Sequence, residues 1–323
     1  RLNGNPIEGV RFDIYENDEF GSALVGSMVT DENGVAVSEL LRKGRYIVRE
    51  HGETAGYVFE EIALDAVVKP DETTDLSVTN QPVQVRLKLY KRDADEYAGK
   101  PADAPGTRGD GELTGAVFRV LAAQDITDRQ DNVIYEKGAV VVDSLTTAGE
   151  DASVTTDALW PGMYEIVELA PPVGYQAAVD SIIVDARSAA EQSHEAVVIY
   201  EGVVTNEIRY GAQAIVKLLG GMSDDPDPDR VETPEAGAEF LVYLRKAGSY
   251  ENARALERDR LVTDENGYAK TKALPYGVYV LEQTKGAPGY ELKGPILFEI
   301  DGTEDILNPP PLTLSDRPIR YRL

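Results

Sequence analysis

The chain of 323 residues contains no cysteine. Disulfides, thiolate nucleophiles and cysteine-based metal sites are therefore excluded. Histidine is nearly absent too: His51 and His194 stand alone, without the helical spacing of a metal-binding pair. No apolar run approaches the length of a bilayer span, and no signal-peptide pattern opens the chain. Basic residues are scarce, 32 against 57 acidic ones, for a formal net charge of −25. Such an imbalance favours solubility and argues against nucleic acid or an anionic membrane as partner, since both need basic patches. No phosphate-binding loop, Ser-His-Asp order or paired-carboxylate motif occurs. Turnover of an external substrate is not expected, and no cofactor or metal is implied.

What the chain does have is one passage used three times. Residues 159–175 run Leu159-Trp160-Pro161-Gly162-Met163-Tyr164-Glu165-Ile166-Val167-Glu168, then close on Pro171-Pro172-Val173-Gly174-Tyr175. Residues 41–57 repeat it as Gly44-Arg45-Tyr46-Ile47-Val48-Arg49-Glu50 and Gly56-Tyr57. Residues 274–290 repeat it as Leu274-Pro275-Tyr276-Gly277-Val278-Tyr279-Val280-Leu281-Glu282-Gln283 and Pro288-Gly289-Tyr290. Alternation puts Tyr164, Ile166 and Glu168 on one face of a strand. A carboxylate in register with apolar residues must be paired, neutralised or used.

The repeat divides the chain into units at 1–82, 83–209 and 210–316, with 317–323 resembling the first strand of a further repeat. The hydrophobic fraction of 42% is enough for packed cores. Each unit shows short alternating segments broken by turn signals, which predicts an all-β chain of three tandem β-sandwiches in a rod-like array. Asp31-Glu32-Asn33-Gly34 and Asp264-Glu265-Asn266-Gly267 read as type I′ hairpin turns. Late strands are expected near 58–68, 74–79, 181–185 and 196–204, and a short surface helix within 249–260. In the second unit Val85, Leu87, Leu89 and Lys91 share a strand face, so this lysine points where the apolar residues point. Lys88 has the opposite parity. The first unit has no lysine strand of its own, as though the chain were a fragment cut out of phase with its repeat. A strand from a neighbouring molecule is one way to complete it.

These motifs together resemble the Cna protein B-type, or SpaA-like, prealbumin-type repeat domains of Gram-positive surface adhesins and pilins. The pattern comprises a lysine strand, Gly-Ala-x-Phe (Gly115-Ala116-Val117-Phe118, Gly237-Ala238-Glu239-Phe240), Thr-Asp-x-x-Gly, the Gly-x-Tyr strand, Pro-x-Gly-Tyr and a final Thr-Asn. The resemblance implies an extracellular, cell-wall location and an intramolecular Lys–Asn isopeptide bond formed with the help of a buried glutamate. Lys91, Glu168 and Asn206 occupy the three positions in the second unit. The first unit offers Glu50 and Asn80 without a lysine. The third departs from the pattern: Asp316 stands at the asparagine position and Gln283 at the glutamate position. Lys217 can pair with Asp316 either as an ion pair without a crosslink, the favoured reading in the absence of the acid, or as a lysine–aspartate isopeptide formed with loss of water.

The same resemblance implies a structural or adhesive role, with neighbouring repeats of the same chain as the first partners. Alternatives are a surface module that recognises a host extracellular protein or glycan through its loops at 93–112 and 223–235, or accessory domains of a larger secreted enzyme. Arg108-Gly109-Asp110 in the first loop is a candidate integrin tripeptide. The acidic loop 224–229 lacks the spacing of a calcium site, and Trp160 reads as a packing residue.

Overall fold

The computed structural model describes residues 6–18, 21–52, 56–58, 62–98, 108–128, 132–178, 180–220, 232–303 and 305–319. The expectations for residues 99–107 of the 93–112 loop, for the acidic loop 224–229 and for the end of the 317–323 segment lie outside them. The protein is almost entirely β-structure, arranged around three separate apolar cores. Among the described residues, no helix is long and apolar enough to cross a membrane.

The first core is covered by one four-stranded antiparallel sheet, in the order Gly21–Val29, Arg11–Asp18, Gly44–His51, Ala63–Val68. Period-two alternation turns Phe12, Ile14, Tyr46 and Val48 inward. The strand expected near 74–79 is not formed. A strand needs a ladder partner for its backbone groups, and the described residues of this segment supply none.

The second segment is a two-layer sandwich. One sheet orders Ser153–Thr155, Gln84–Asp93 and Val197–Asn206; the other orders Ile182–Asp185, Met163–Ala170, Val117–Ala122 and Val140–Thr146. Val85, Leu87 and Leu89 from the first layer meet Phe118, Val120, Tyr164 and Ile166 from the second. The third segment repeats this. Ala214–Leu219 and Pro311–Pro318 pair in one layer, and Arg258–Val262, Glu239–Leu244, Gly277–Lys285 and Ile296–Ile300 form the other. In both sandwiches the first and last strands run parallel. This sets the first and last strands of each segment side by side, with the end of one beside the end of the other.

Two local expectations are corrected. At 31–34 and 264–267 only Gly34 and Gly267 take positive φ, at 68° and 69°, whereas a type I′ turn requires it of the asparagine as well. The aspartate shapes the turn instead: Asp264 Oδ1 accepts the backbone N–H groups of Asn266 and Tyr268, and Asp31 Oδ1 does the same for Asn33 and Val35. Glycine is required at 267 because a Cβ there would lie 2.2 Å from the Lys217 carbonyl oxygen. The helix expected within 249–260 is a single 3₁₀ turn, Ala255–Glu257, running into the strand Arg258–Val262. Ladder pairing with Glu239–Leu244 and burial of Leu261 override the helix propensity of that stretch.

The Gly-x-Tyr motif has a common structural purpose. Tyr46, Tyr164 and Tyr279 are buried, and each donates its hydroxyl to the carbonyl four residues earlier, of Arg42, Trp160 and Pro275 respectively. Each ring fills a core while its polar end closes the turn that leads into the strand. Burial raises the Tyr164 and Tyr279 hydroxyls above the ordinary tyrosine range. Tyr279→Phe leaves the Pro275 carbonyl unsatisfied and should lower stability by about 1 kcal/mol. Urea unfolding checks this, and an unchanged midpoint contradicts the role assigned to the hydroxyl.

Candidate functional site

Strand register builds the site. Gln84–Asp93 and Val197–Asn206 pair with Lys91 opposite Val204, which leaves Asn206 two residues further along on the same face. Ala214–Leu219 and Pro311–Pro318 pair with Lys217 opposite Leu314, giving Asp316 the same offset. A four-carbon lysine stem spans such an offset, so both lysines reach the side chain at the end of the parallel neighbour.

In the second segment Lys91 is fully buried between the layers, 5.8 Å from the Phe118 ring centre. Its Nζ donates to Asn206 Oδ1 in a very short contact and lies 3.0 Å from Glu168 Oε1. The Asn206 amide nitrogen donates to Glu168 Oε2 at 2.7 Å and to the Gln176 carbonyl at 2.5 Å. Glu168 Oε2 also accepts the Ala178 backbone N–H at 2.8 Å. One carboxyl thus touches both the amine and the amide nitrogen of a Lys–Asn pair. Burial pushes the Lys91 ammonium below the usual lysine range, and the Glu168 contact offsets part of this. Lys88 lies outside the cluster, paired with Asp151 at 3.3 Å and set over the Tyr90 ring.

In the first segment Asn80 donates to Glu50 Oε1 at 2.6 Å, and both residues are buried. Glu50 Oε2 is buried with no hydrogen-bond partner among the described residues. The acid and the amide are together, but among the described residues no lysine faces them.

In the third segment Lys217 is fully buried, with Asp316 Oδ1 at 2.7 Å. Gln283 Nε2 donates to Asp316 Oδ2 at 2.8 Å. Glu282 is on the other face of its strand, near the Tyr243 hydroxyl. The sequence reading missed one member: Glu235, also buried, has Oε2 3.2 Å from Lys217 Nζ. It lies in a turn before a strand, where no alternation marks which way a side chain points.

The Arg-Gly-Asp tripeptide is engaged within the chain. Arg108 pairs with Glu96 at 3.1 Å. Asp110 donates its N–H to the Tyr276 carbonyl and accepts the Val278 N–H through Oδ2, both at 2.9 Å. Gly109 permits the approach, since a Cβ there would sit 2.2 Å from the Tyr276 oxygen. The tripeptide therefore joins the second segment to the Tyr276 turn of the third. Trp160 is partly buried against the second core, and His51 pairs with Asp13 at 2.9 Å.

Paired β-layers whose first and last strands run parallel, with a lysine and its partner buried between the layers, define a prealbumin-like β-sandwich protein. Residues 2–82 and 229–308 match the family model of the SpaA prealbumin-like fold domain. A comparison with curated proteins returned no match. Among solved structures, the TIE protein of Bacillus anthracis is similar in fold, with a TM-score of 0.54 and 22% identity. The similarity covers 97% of this chain but 48% of that one, so the chain spans about half its length. A streptococcal ancillary pilin is 18% identical over 99% of this chain and 96% of its own, with a TM-score of 0.31. BcpA, the major pilin subunit of Bacillus cereus, is 16% identical over 97% and 95%, with a TM-score of 0.32.

The buried Glu50 of the first segment has a measurable consequence. Burial raises the Glu50 carboxyl above the ordinary glutamate range, and the Asn80 hydrogen bond opposes part of that rise. Between the unfolded value and the raised folded value, the native state holds more protons than the unfolded one. Stability therefore falls as pH rises through that interval. Glu50→Gln should flatten this slope in a pH series of thermal unfolding. A slope unchanged by the substitution contradicts the assignment.

Proposed function

We propose that this chain is part of a structural, adhesin- or pilin-like protein of a Gram-positive cell surface, built from modules at 1–82, 83–209 and 210–316. In this reading the second module is closed by an isopeptide bond between Lys91 and Asn206. The observation that carries it is the buried triad in which Glu168 contacts both the Lys91 amine and the Asn206 amide nitrogen.

The chemistry follows from that placement. Desolvation favours the neutral, nucleophilic form of Lys91. Its Nζ attacks the Asn206 side-chain carbonyl carbon, and the bond to Nδ2 breaks. Glu168 takes a proton from the attacking amine and delivers it to the departing nitrogen, which leaves as ammonia. The product is an amide between the first and last strands of one sheet. The reaction occurs once per molecule and turns over no external substrate.

The bond closes a loop of 115 residues. By the chain-entropy argument used for disulfides, that contributes about 4–5 kcal/mol to stability. Mechanically it matters more: tension applied at the two ends of the module passes through the covalent link and bypasses the parallel strand pair. A surface stalk under shear needs this property.

The test is intact mass with a peptide map. The bond lowers the mass by about 17 Da, the ammonia lost, and joins the peptides that carry Lys91 and Asn206. Lys91→Ala should restore the full mass, and Glu168→Gln should leave the two peptides unlinked. An unlinked wild-type pair would sink the proposal.

A further inference from the structure

The geometry points to a second crosslinking site in the third module, where Lys217 condenses with Asp316 and Glu235, delivered from a different part of the fold, takes the place of the missing glutamate. This rests on the reading of these modules as self-crosslinking, but concerns a different bond and a different acid.

The three copies locate Glu235 by an internal alignment that does not depend on its function. In each segment a buried threonine donates its hydroxyl to a backbone carbonyl two residues before a glycine. Thr30 donates to Ile7, Thr147 to Leu113 and Thr263 to Glu235. The glycines Gly9, Gly115 and Gly237 each return a backbone N–H to the threonine carbonyl at 2.9 Å. Ile7, Leu113 and Glu235 are therefore one structural position. It is apolar in the two copies that keep a glutamate on the Gly-x-Tyr strand, Glu50 and Glu168, and acidic in the copy that has Gln283 there. The acid has changed strands rather than disappeared.

The relocated carboxyl is held for use. Glu235 Oε1 accepts the Ala287 backbone N–H at 2.6 Å, which leaves Oε2 facing Lys217 Nζ at 3.2 Å. On the other side of the amine, Asp316 Oδ1 lies at 2.7 Å. Gln283 holds Asp316 Oδ2 through its Nε2 at 2.8 Å, and its own Oε1 is fixed by the Lys293 N–H at 2.9 Å. The two duties of Glu168 are here divided. Glu235 is placed to move protons, and Gln283 is placed to stabilise negative charge on the oxygen that becomes the amide carbonyl.

The step balances without a co-reactant. Glu235 takes one proton from the Lys217 ammonium, freeing the amine to attack the Asp316 carboxyl carbon. As the C–N bond forms, the amine gives up a second proton. Both protons end on one Asp316 oxygen, whose bond to carbon breaks as water leaves. An ammonium and a carboxylate become an amide and one water.

Peptide mapping of the full chain tests this. The wild type should contain a Lys217–Asp316 linked pair, about 18 Da lighter than its unlinked sum. Glu235→Gln keeps shape and hydrogen bonds but not proton transfer, and should slow the bond by about a hundredfold or more. Adding Gln283→Glu to Glu235→Gln returns an acid to the strand used in the second module and should restore the link. A merely structural role for Glu235 would not give that rescue. An unlinked wild-type pair overturns the inference, as does a Glu235→Gln chain that links at the wild-type rate. The Lys91 and Asn206 peptides in the same digest report separately on the bond proposed for the second module.

Discussion

A lysine ammonium placed between two β-layers is the constraint on which the rest of this protein depends. Uncompensated, a buried charge of that kind costs several kcal/mol. The fold answers it with side chains from elements far apart in sequence. Lys91 and Lys217 are fully buried and each touches a carboxyl and the end of the last strand of its segment. The parallel pairing of first and last strands sets that meeting. The tyrosine that seals the Gly-x-Tyr turn and the threonine that fixes the early loop hold the opposite layer in place. In the first segment, where no described lysine faces the site, Glu50 Oε2 has no hydrogen-bond partner among the described residues.

Comparing the copies separates architecture from chemistry. The tyrosine and threonine hydrogen bonds recur in all three segments, whatever stands at the site. The site itself varies: glutamate with asparagine in the first, lysine, glutamate and asparagine in the second, lysine, aspartate, glutamine and a relocated glutamate in the third. One scaffold thus carries different local chemistries, as expected when function resides in side chains set on a stable fold.

Much of this was legible in the sequence because strand alternation is a strict code. Val85, Leu87, Leu89 and Lys91 read as one face and are one buried row. Gln283 and Glu282 were assigned to opposite faces, and they lie there. What alternation does not cover was missed. Glu235 sits in a turn, where direction is decided by the hydrogen bond between Thr263 and its own carbonyl. The turns at 31–34 and 264–267 were misread because asparagine before glycine suggests two residues at positive φ, whereas the preceding aspartate supplies enough acceptors to need only one. Arg108-Gly109-Asp110 read as a free loop, yet its aspartate is committed to a contact 168 residues away, which no local pattern announces.

The central claim is that tension across the second module passes through a covalent bond. Single-molecule extension of the chain tests it directly. With Lys91 joined to Asn206, the chain between them, a separation of 115 positions, stays inside a closed loop and releases no length under force. In Lys91→Ala the same residues should extend and add about 40 nm of contour, at roughly 3.3–3.6 Å per residue. A wild-type trace showing that release would contradict the account.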